Sequence, residues 1–317
     1  MTISIIIAVK TWQKNLEECV GKCLKLDYPD FEILIIPDNP IDVSYPNVKV
    51  IPSGPVSPAE KRDLASQHAR GEILAFIDDD VYPEKSWLTS AVENFKDPQV
   101  AAVGGPAVTP VEDSLKRRAS GEVYESFLTS GPFVYRYKKG TRQYVEDYPS
   151  CNLLVRKEIF DELDGFDTKY WPGEDTKLCL EIVHKLNKKI IYDPDVLVYH
   201  HRRPLFLPHL KQIASYALHR GYFARKYPQT SLKIAYFIPS IFVSAIALGL
   251  VLNLFSPFIK MLLIFSLLIY FSVVVIFSIG RNLKMTLLVI PGVILSHLTY
   301  GIFFIKGLLS GGLEEEK

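Results

Sequence analysis

The run Gly71-Glu72-Ile73-Leu74-Ala75-Phe76-Ile77-Asp78-Asp79-Asp80 joins two kinds of residue that seldom adjoin. Ile73 to Ile77 is continuously apolar, the pattern of a strand buried on both faces, and it runs directly into three carboxylates. So much negative charge at the tip of an apolar strand calls for a compensating cation. Hard divalent ions such as Mg²⁺ or Mn²⁺ take oxygen ligands and are commonly held by one or two carboxylates plus substrate phosphates. An isolated Asp triplet reads more simply as a solvated acidic turn, so the surrounding chain has to decide between the two.

Upstream, Ile3 to Val9, Phe31 to Ile36 and Val48 to Ile51 are further apolar runs of strand length. Between the first two, Leu16, Cys19, Val20, Cys23 and Leu24 form a helical stripe. Ser57-Pro58-Ala59-Glu60 has the form of a capping box with proline at the first helical position and opens a helix to about Arg70. Downstream, Leu88, Ala91, Val92 and Phe95 mark one face of another helix, and Val100 to Val103 is a strand. Strand and helix alternating in this way mean a parallel α/β sheet with right-handed crossovers. Ligands of such sheets bind beyond the carboxyl ends of the strands. Asp38 and Asp78 to Asp80 both stand at such ends and are expected to converge on one crevice.

From Thr109 to Pro149 the periodicity loosens into a polar, tyrosine-rich stretch with Lys116, Arg117, Arg118, Arg136, Lys138, Lys139 and Arg142. It reads equally as a solvated connection and as a contact for an anionic acceptor or a membrane surface. Ser150 to Val155 then reads as strand, and Ile159, Phe160 and Leu163 as a short helix. Trp171-Pro172-Gly173-Glu174-Asp175 precedes the stripe Leu178, Cys179, Ile182, Val183 and Leu186. Asp175 shares the inward face of that helix near its N-terminus, where a carboxylate can also serve simply as a cap. Ile190 to Tyr192 and Val196 to Tyr199 are late strands, the second delivering His200 and His201.

The 317 residues carry a net charge of +1, which argues against a nucleic-acid binder recruited by bulk electrostatics. The length favours more than one structural unit. From residue 234 the chain becomes apolar in three runs, about 234–255, 258–279 and 285–309, each of the ~20 residues that a bilayer crossing requires. Arg220, Arg225, Lys226 and Lys233 precede the first run, and Arg281 and Lys284 lie between the second and third. That bias makes their side cytoplasmic and sends the acidic tail Glu314-Glu315-Glu316 across the membrane. Ile3 to Val9 is too short, and lacks the basic leader, for a cleavable signal peptide. Leu210, Ile213, Ala214, Ala217 and Leu218, flanked by His209, Lys211, Arg220 and Arg225, predict a helix lying in the membrane interface. The expected division is a soluble domain over 1–203, an interfacial linker over 204–233 and a transmembrane region over 234–317. The four cysteines have no zinc spacing and suit a reducing compartment.

Taken in order, Ser4 to Val9, Phe31 to Asn39, Lys61-Arg62, Gly71 to Asp80, Gly165-Phe166-Asp167, Gly173-Glu174-Asp175-Thr176 and Val198-Tyr199-His200 resemble the family 2 inverting glycosyltransferases. The resemblance covers roughly residues 3 to 230. It implies a GT-A-type, Rossmann-like nucleotide-sugar-binding α/β domain with a mostly parallel sheet, dependent on Mg²⁺ or Mn²⁺. Its donor would be a nucleoside diphosphate sugar, a UDP- or GDP-sugar, and its acceptor lipid-linked or another cell-envelope glycan. By the same resemblance Asp38 accepts a hydrogen bond from the nucleotide base, Arg62 faces the diphosphate and Asp78 contacts the ribose or base. Asp80 ligates the metal, Asp79, the middle residue of the Asp-x-Asp motif, and Glu174 fall on the substrate side, and Asp175, next to Glu174, is the base. His200 is a second metal or diphosphate contact. The opening loop, with Ala8 and Lys10, falls on the substrate side, but Ala8, Lys10 and Thr11 depart from the Thr or Pro, aromatic and Asn frequent in the family. Pro37 likewise replaces a frequent acid.

Two other readings accompany this one. A polyprenyl-phosphate glycosyl synthase has an anionic acceptor that needs no base, leaving Asp175 to orient groups. A non-catalytic membrane scaffold could keep the fold without turnover, although retention of Asp78, Asp80 and Asp175 speaks against it.

Overall fold

The computed structural model describes residues 1–280 and 282–316. In chain order it begins β1 (Ile3–Ala8), α1 (Lys14–Cys23), β2 (Phe31–Ile36), β3 (Val48–Val50), α2 (Pro58–His68) and β4 (Ile73–Ile77). Next come β5 (Val81–Pro83), α3 (Trp87–Asn94), β6 (Val100–Gly104), β7 (Ala107–Val108), α4 (Leu115–Glu125) and α5 (Phe127–Ser130). β8 (Gln143–Val145), β9 (Asn152–Arg156), α6 (Lys157–Glu162), α7 (Glu174–Leu180), β10 (Lys189–Tyr192) and β11 (Val198–His200) follow. The chain ends in α8 (Leu207–Lys226), α9 (Pro228–Ser231), α10 (Ile234–Leu252), α11 (Pro257–Ser278) and α12 (Leu283–Leu309). Contacts group these elements into two units, Met1–Pro110 with Tyr135–His201, and Val111–Val134 with Arg202–Glu315.

The first unit is a GT-A-like α/β domain. Its eight-stranded sheet has the order β3-β2-β1-β4-β9-β6-β10-β8. Only β9, between β4 and β6, and β8, at the edge, run antiparallel to their neighbours. β1, β2 and β4 are almost wholly buried, as their continuous apolarity requires. The capping box of α2 forms as read: Glu60 N–H donates to Ser57 Oγ at 3.2 Å and Ser57 N–H to Glu60 Oε2 at 2.9 Å. In a second small sheet, β5-β11-β7, only β11 was readable, as the late strand ending at Tyr199, because β5 and β7 are only three and two residues long. This sheet begins directly after the Asp triplet, so the acidic tip is the half-buried turn that joins β4 of the large sheet to β5 of the small one.

The second unit contains the three apolar helices, each long and apolar enough to cross a membrane. Arg281, one of the charges used to orient them, lies outside the described residues. The stretch without periodicity contributes α4 and α5 to this unit. The buried face of α4 is Ala119, Ser120, Gly121, Val123 and Tyr124, too small and polar to register as an apolar stripe. His209, fully buried, lies 2.8 Å from Ser120 Oγ and 3.0 Å from Ser296 Oγ, tying α4, α8 and α12 together. Burial, then Arg202, pushes its pKa down to about 4, so the link is neutral at physiological pH. Ile213 and Ala217, two residues of the stripe read as membrane-facing, are buried within the unit.

Candidate active site

The carboxyl ends of β1, β2 and β4 point the same way, because the three strands are parallel and in register. The backbone just beyond β1 and β2 is tied across: Asp38 N–H donates to the Lys10 carbonyl at 3.1 Å and Val9 N–H to that of Ile36 at 3.1 Å. Ala8 is therefore a strand-end residue opposite Ile36, and Lys10 contributes its carbonyl while its side chain is exposed. The Asp38 side chain pairs with Lys61, whose Nζ also donates to the Val9 carbonyl at 2.5 Å. Lys61 is 2% exposed, so this ammonium is a fixture of the Asp38 end. The sequence reading gave Lys61 no role. The signal was present: adjacent residues on a helix diverge by about 100°, so Lys61 and Arg62 must serve different partners.

Arg62 is also buried, and its guanidinium bridges Asp78 Oδ1 at 2.8 Å and Glu174 Oε1 at 2.7 Å. Its pKa is raised: burial opposes the charge, and the Asp78 and Glu174 carboxylates outweigh it. The ring of Phe166 lies 5.7 Å from the guanidinium carbon. Glu174 is 4% exposed and also accepts from Ser150 Oγ at 3.4 Å and from Gly173 N–H at 3.0 Å. Arg62 and Glu174, both placed on the substrate side by resemblance, thus hold each other within the wall of the crevice. Of the pair at the start of α7, the fully inward carboxylate is Glu174. Asp175 is half-buried, with Oδ2 accepting from Ser150 N–H at 3.1 Å.

The triplet separates by partner. Asp78 turns to Arg62, Asp79 accepts a short hydrogen bond from Gln13 Nε2, and Asp80 Oδ1 lies 3.3 Å from His200 Nε2. β11 pairs antiparallel with β5, setting His200 opposite Val81, and His201 N–H donates to the Asp80 carbonyl at 2.9 Å. The neighbouring His201 ring turns away to Glu18, at 3.1 Å. Of the two histidines, His200 is the one beside the triplet.

A divalent cation fits this tip. Burial, with Asp80, pushes Asp78 up although Arg62 opposes; burial, then Asp80 and Asp78, raises Asp79 to about 6. The three carboxylates repel one another, and a dication relieves that repulsion. Asp80 supplies the carboxylate oxygen that Mn²⁺ and Mg²⁺ sites use, and His200 stands beside it as a further nitrogen donor. Among the described residues no three acidic, histidine or cysteine side chains converge into a complete cage, so the remaining ligands would have to come from substrate oxygens or water.

The family profile described as Glycosyl transferase family 2 matches residues 4–164. Over 150 residues the chain is 30% identical to the pre-mycofactocin glycosyltransferase of Mycobacterium tuberculosis, a match covering 46% of this chain and 30% of that one. It is 24% identical over 147 residues to the glucosyl-dolichyl phosphate glucuronosyltransferase of Haloferax volcanii, covering 44% and 46%. These matches span less than half the length of either relative. In fold, the chain is similar to the mannosyltransferase PcManGT from Pyrobaculum calidifontis, solved in complex with GDP-Man and Mn²⁺. The TM-score is 0.58 at 17% identity, over 98% of this chain and 88% of that one.

Proposed function

The chain belongs to glycosyl transferase family 2, and from that premise we propose that it moves a sugar from a nucleoside diphosphate sugar to a lipid-linked or other cell-envelope glycan acceptor, with inversion at the anomeric carbon. The observation that carries this reading is the division of the triplet between Arg62 and His200, with Asp175 joined to the same network through Ser150. The name of the Haloferax volcanii relative contains a dolichyl phosphate-linked sugar, which supports a lipid-linked acceptor. The apolar C-terminal helices, long enough to span a membrane, hold the enzyme where such acceptors reside.

In this mechanism Asp38, fixed by Lys61, accepts a hydrogen bond from the nucleotide base, and Asp78, fixed by Arg62, accepts one from the ribose or base. Arg62 acts through these carboxylates, with its positive field directed toward the diphosphate. Asp80 and His200 would hold Mg²⁺ or Mn²⁺, and such an ion would supply positive charge for the departing diphosphate. Asp175 takes the proton of the acceptor hydroxyl as its oxygen bonds to the anomeric carbon. The bond from that carbon to the diphosphate oxygen breaks on the opposite face, giving one displacement and inversion. The basic residues Arg220, Arg225, Lys226 and Lys233 ahead of α10 assign the catalytic unit to the cytoplasmic side.

The test is transfer by the full-length protein in lipid nanodiscs, using a panel of UDP- and GDP-sugars, Mn²⁺ or Mg²⁺, and extracted envelope lipids. One donor should be consumed, and chelation should abolish that consumption. No consumption with any donor refutes the reading in favour of a scaffold. Asp175→Asn then discriminates between acceptors: near-normal turnover would mean an anionic lipid phosphate that needs no base.

A further inference from the structure

Three helices of the second unit meet the length and apolarity needed to cross a bilayer, yet their surroundings differ. In α10 and α11 only 11% of the most apolar window is buried, whereas in α12 the figure is 39%. The covering of α12 comes largely from charged helices. Toward its N-terminus, Met285, Val289 and Val293 pack with Ala119 and Val123 of α4, whose first turns carry Lys116, Arg117 and Arg118. Midway, the Leu128 carbonyl of α5 lies 2.8 Å from His297 Nε2. Toward its C-terminus α12 runs beside α8: His209 meets Ser296, Gly221 lies against the Phe304 carbonyl, and Gly307 lies against that of Leu218. A side chain at either glycine would collide with the facing backbone, so the two helices touch main chain to main chain. Rising residue numbers on α8 match rising numbers on α12, so the helices run in the same direction. Arg225 Nη1 donates to the Leu308 carbonyl at 2.8 Å, and His219 Nε2 lies 3.1 Å from Glu315 Oε1.

This arrangement conflicts with a crossing. Wherever α12 entered hydrocarbon, a polar helix in close contact would enter with it. Its C-terminal half would take in α8 with exposed Lys211, Arg225 and Lys226, and its N-terminal half would take in α4 with exposed Lys116. Each such charge costs about 2.5–3.5 kcal/mol at mid-bilayer on the insertion scale. On α12, Leu287, Leu295, Ile302 and Leu309 are exposed and recur every seven or eight residues as one stripe, with the exposed Lys284 and Lys306 on the same face near its two ends, where their stems let the ammonium groups reach the headgroups. α10 and α11, by contrast, form an antiparallel hairpin in which Phe242 stacks near Tyr270 and Gly249 meets Leu263. The half of the hairpin away from its turn packs along α12: Val274 joins the cluster of Met285, Val289 and Val293, Ser240 Oγ donates to the Gly301 carbonyl at 3.2 Å, and Tyr270 Oη lies 2.9 Å from His297 Nδ1.

We propose that α12 lies in the plane of the membrane interface, its Leu287–Leu309 stripe on the hydrocarbon and α4 and α8 above it at the headgroups, and that α10 and α11 are the only two crossings. The acidic C-terminus then returns to the side on which α4 and α8 lie, reversing the sidedness expected from three apolar runs. The proposal is independent of the reaction the enzyme carries out.

The test uses single added cysteines in the full-length chain and a membrane-impermeant maleimide. The chain's own cysteines are buried or half-buried, and the parent serves as the blank. Glu112→Cys reports the side of α4, Phe255→Cys the α10–α11 turn, and Gly311→Cys the C-terminus, where an added Cβ meets nothing within 4 Å. In intact spheroplasts Phe255→Cys should label, while Glu112→Cys and Gly311→Cys label only after permeabilisation. Labelling of position 311 together with 255, or all three positions labelling alike, overturns the proposal. A second measurement does not depend on sidedness: spin labels at Leu287, Leu295, Ile302 and Leu309 in vesicles should report one depth to within ~10 Å, a helix diameter. A helix that crosses upright would spread them over ~33 Å at 1.5 Å per residue, and that result also overturns it.

Discussion

Arg62 and Asp80 stand at the same sheet edge but in clusters of different character. The guanidinium is 3% exposed and enclosed between the carboxylates of Asp78 and Glu174, with the Phe166 ring beside it. Asp80 and His200, with side chains 20% and 12% exposed, form a carboxylate–imidazole pair, while Asp78 is 34% exposed. The first cluster has a buried guanidinium–carboxylate pair, Arg62 with Glu174, costly to desolvate and costlier to break, and Asp78 caps it from a partly exposed position. The second joins a carboxylate and an imidazole, side chains that can ligate a metal. Residues drawn from the same family motifs therefore divide into those that hold the wall and those that meet the substrate.

Substitutions on the open side should remove turnover and leave folding intact. Asp175→Asn is expected to lower kcat by about 10²–10⁴-fold for a hydroxyl acceptor, with an unchanged urea midpoint, because only the proton acceptor is lost. Asp80→Asn should lower kcat by about 10²–10³-fold and raise the Mn²⁺ concentration needed for half-maximal rate, as read by metal titration. If either variant is also unfolded, the contrast between the clusters fails.

Arg62→Met should act the other way. Leaving Glu174 buried without its cation costs about 3–5 kcal/mol, with the partly exposed Asp78 adding little, measured as a fall in denaturation midpoint before any kinetic effect is interpreted. Lys61→Met tests whether the Asp38 end belongs to the wall or to the site: donor KM should rise about tenfold with kcat nearly unchanged, the mark of binding lost equally in ground and transition states.

The smallest effect concerns Asp63, which accepts from Phe166 N–H at 2.9 Å. Burial raises its pKa to about 6, against the pull of that hydrogen bond and of Arg62. A folded-state pKa above the unfolded value means that its contribution to stability is present below about pH 4 and is lost as pH rises through about 6. Asp63→Asn should flatten the pH dependence of the urea midpoint across that window and leave metal dependence unchanged.

Much of the fold is legible in local pattern. β1, β2 and β4 announce themselves because burial on both faces demands unbroken apolarity, and Ser57 and Glu60 announce α2 because a capping box lies within four residues. The acidic tip, Asp38 and the Glu174-Asp175 pair were equally readable as strand-end and helix-start carboxylates. α4 escaped notice because its contact face mixes Ala, Ser and Gly with only Val123 and Tyr124 as larger side chains, and β5 and β7 because two or three residues have no periodicity.

What remained could come only from long-range packing. His200 reaches Asp80 through the pairing of β11 with β5, Glu174 takes Arg62 from 112 residues away in the chain, and α12 is distinguished from α10 and α11 by α4 and α8 beside it. Hydropathy and periodicity are properties of neighbouring residues along one segment. A charge's final partner, and whether an apolar helix meets lipid all round or along one stripe, depend on segments that only folding brings together.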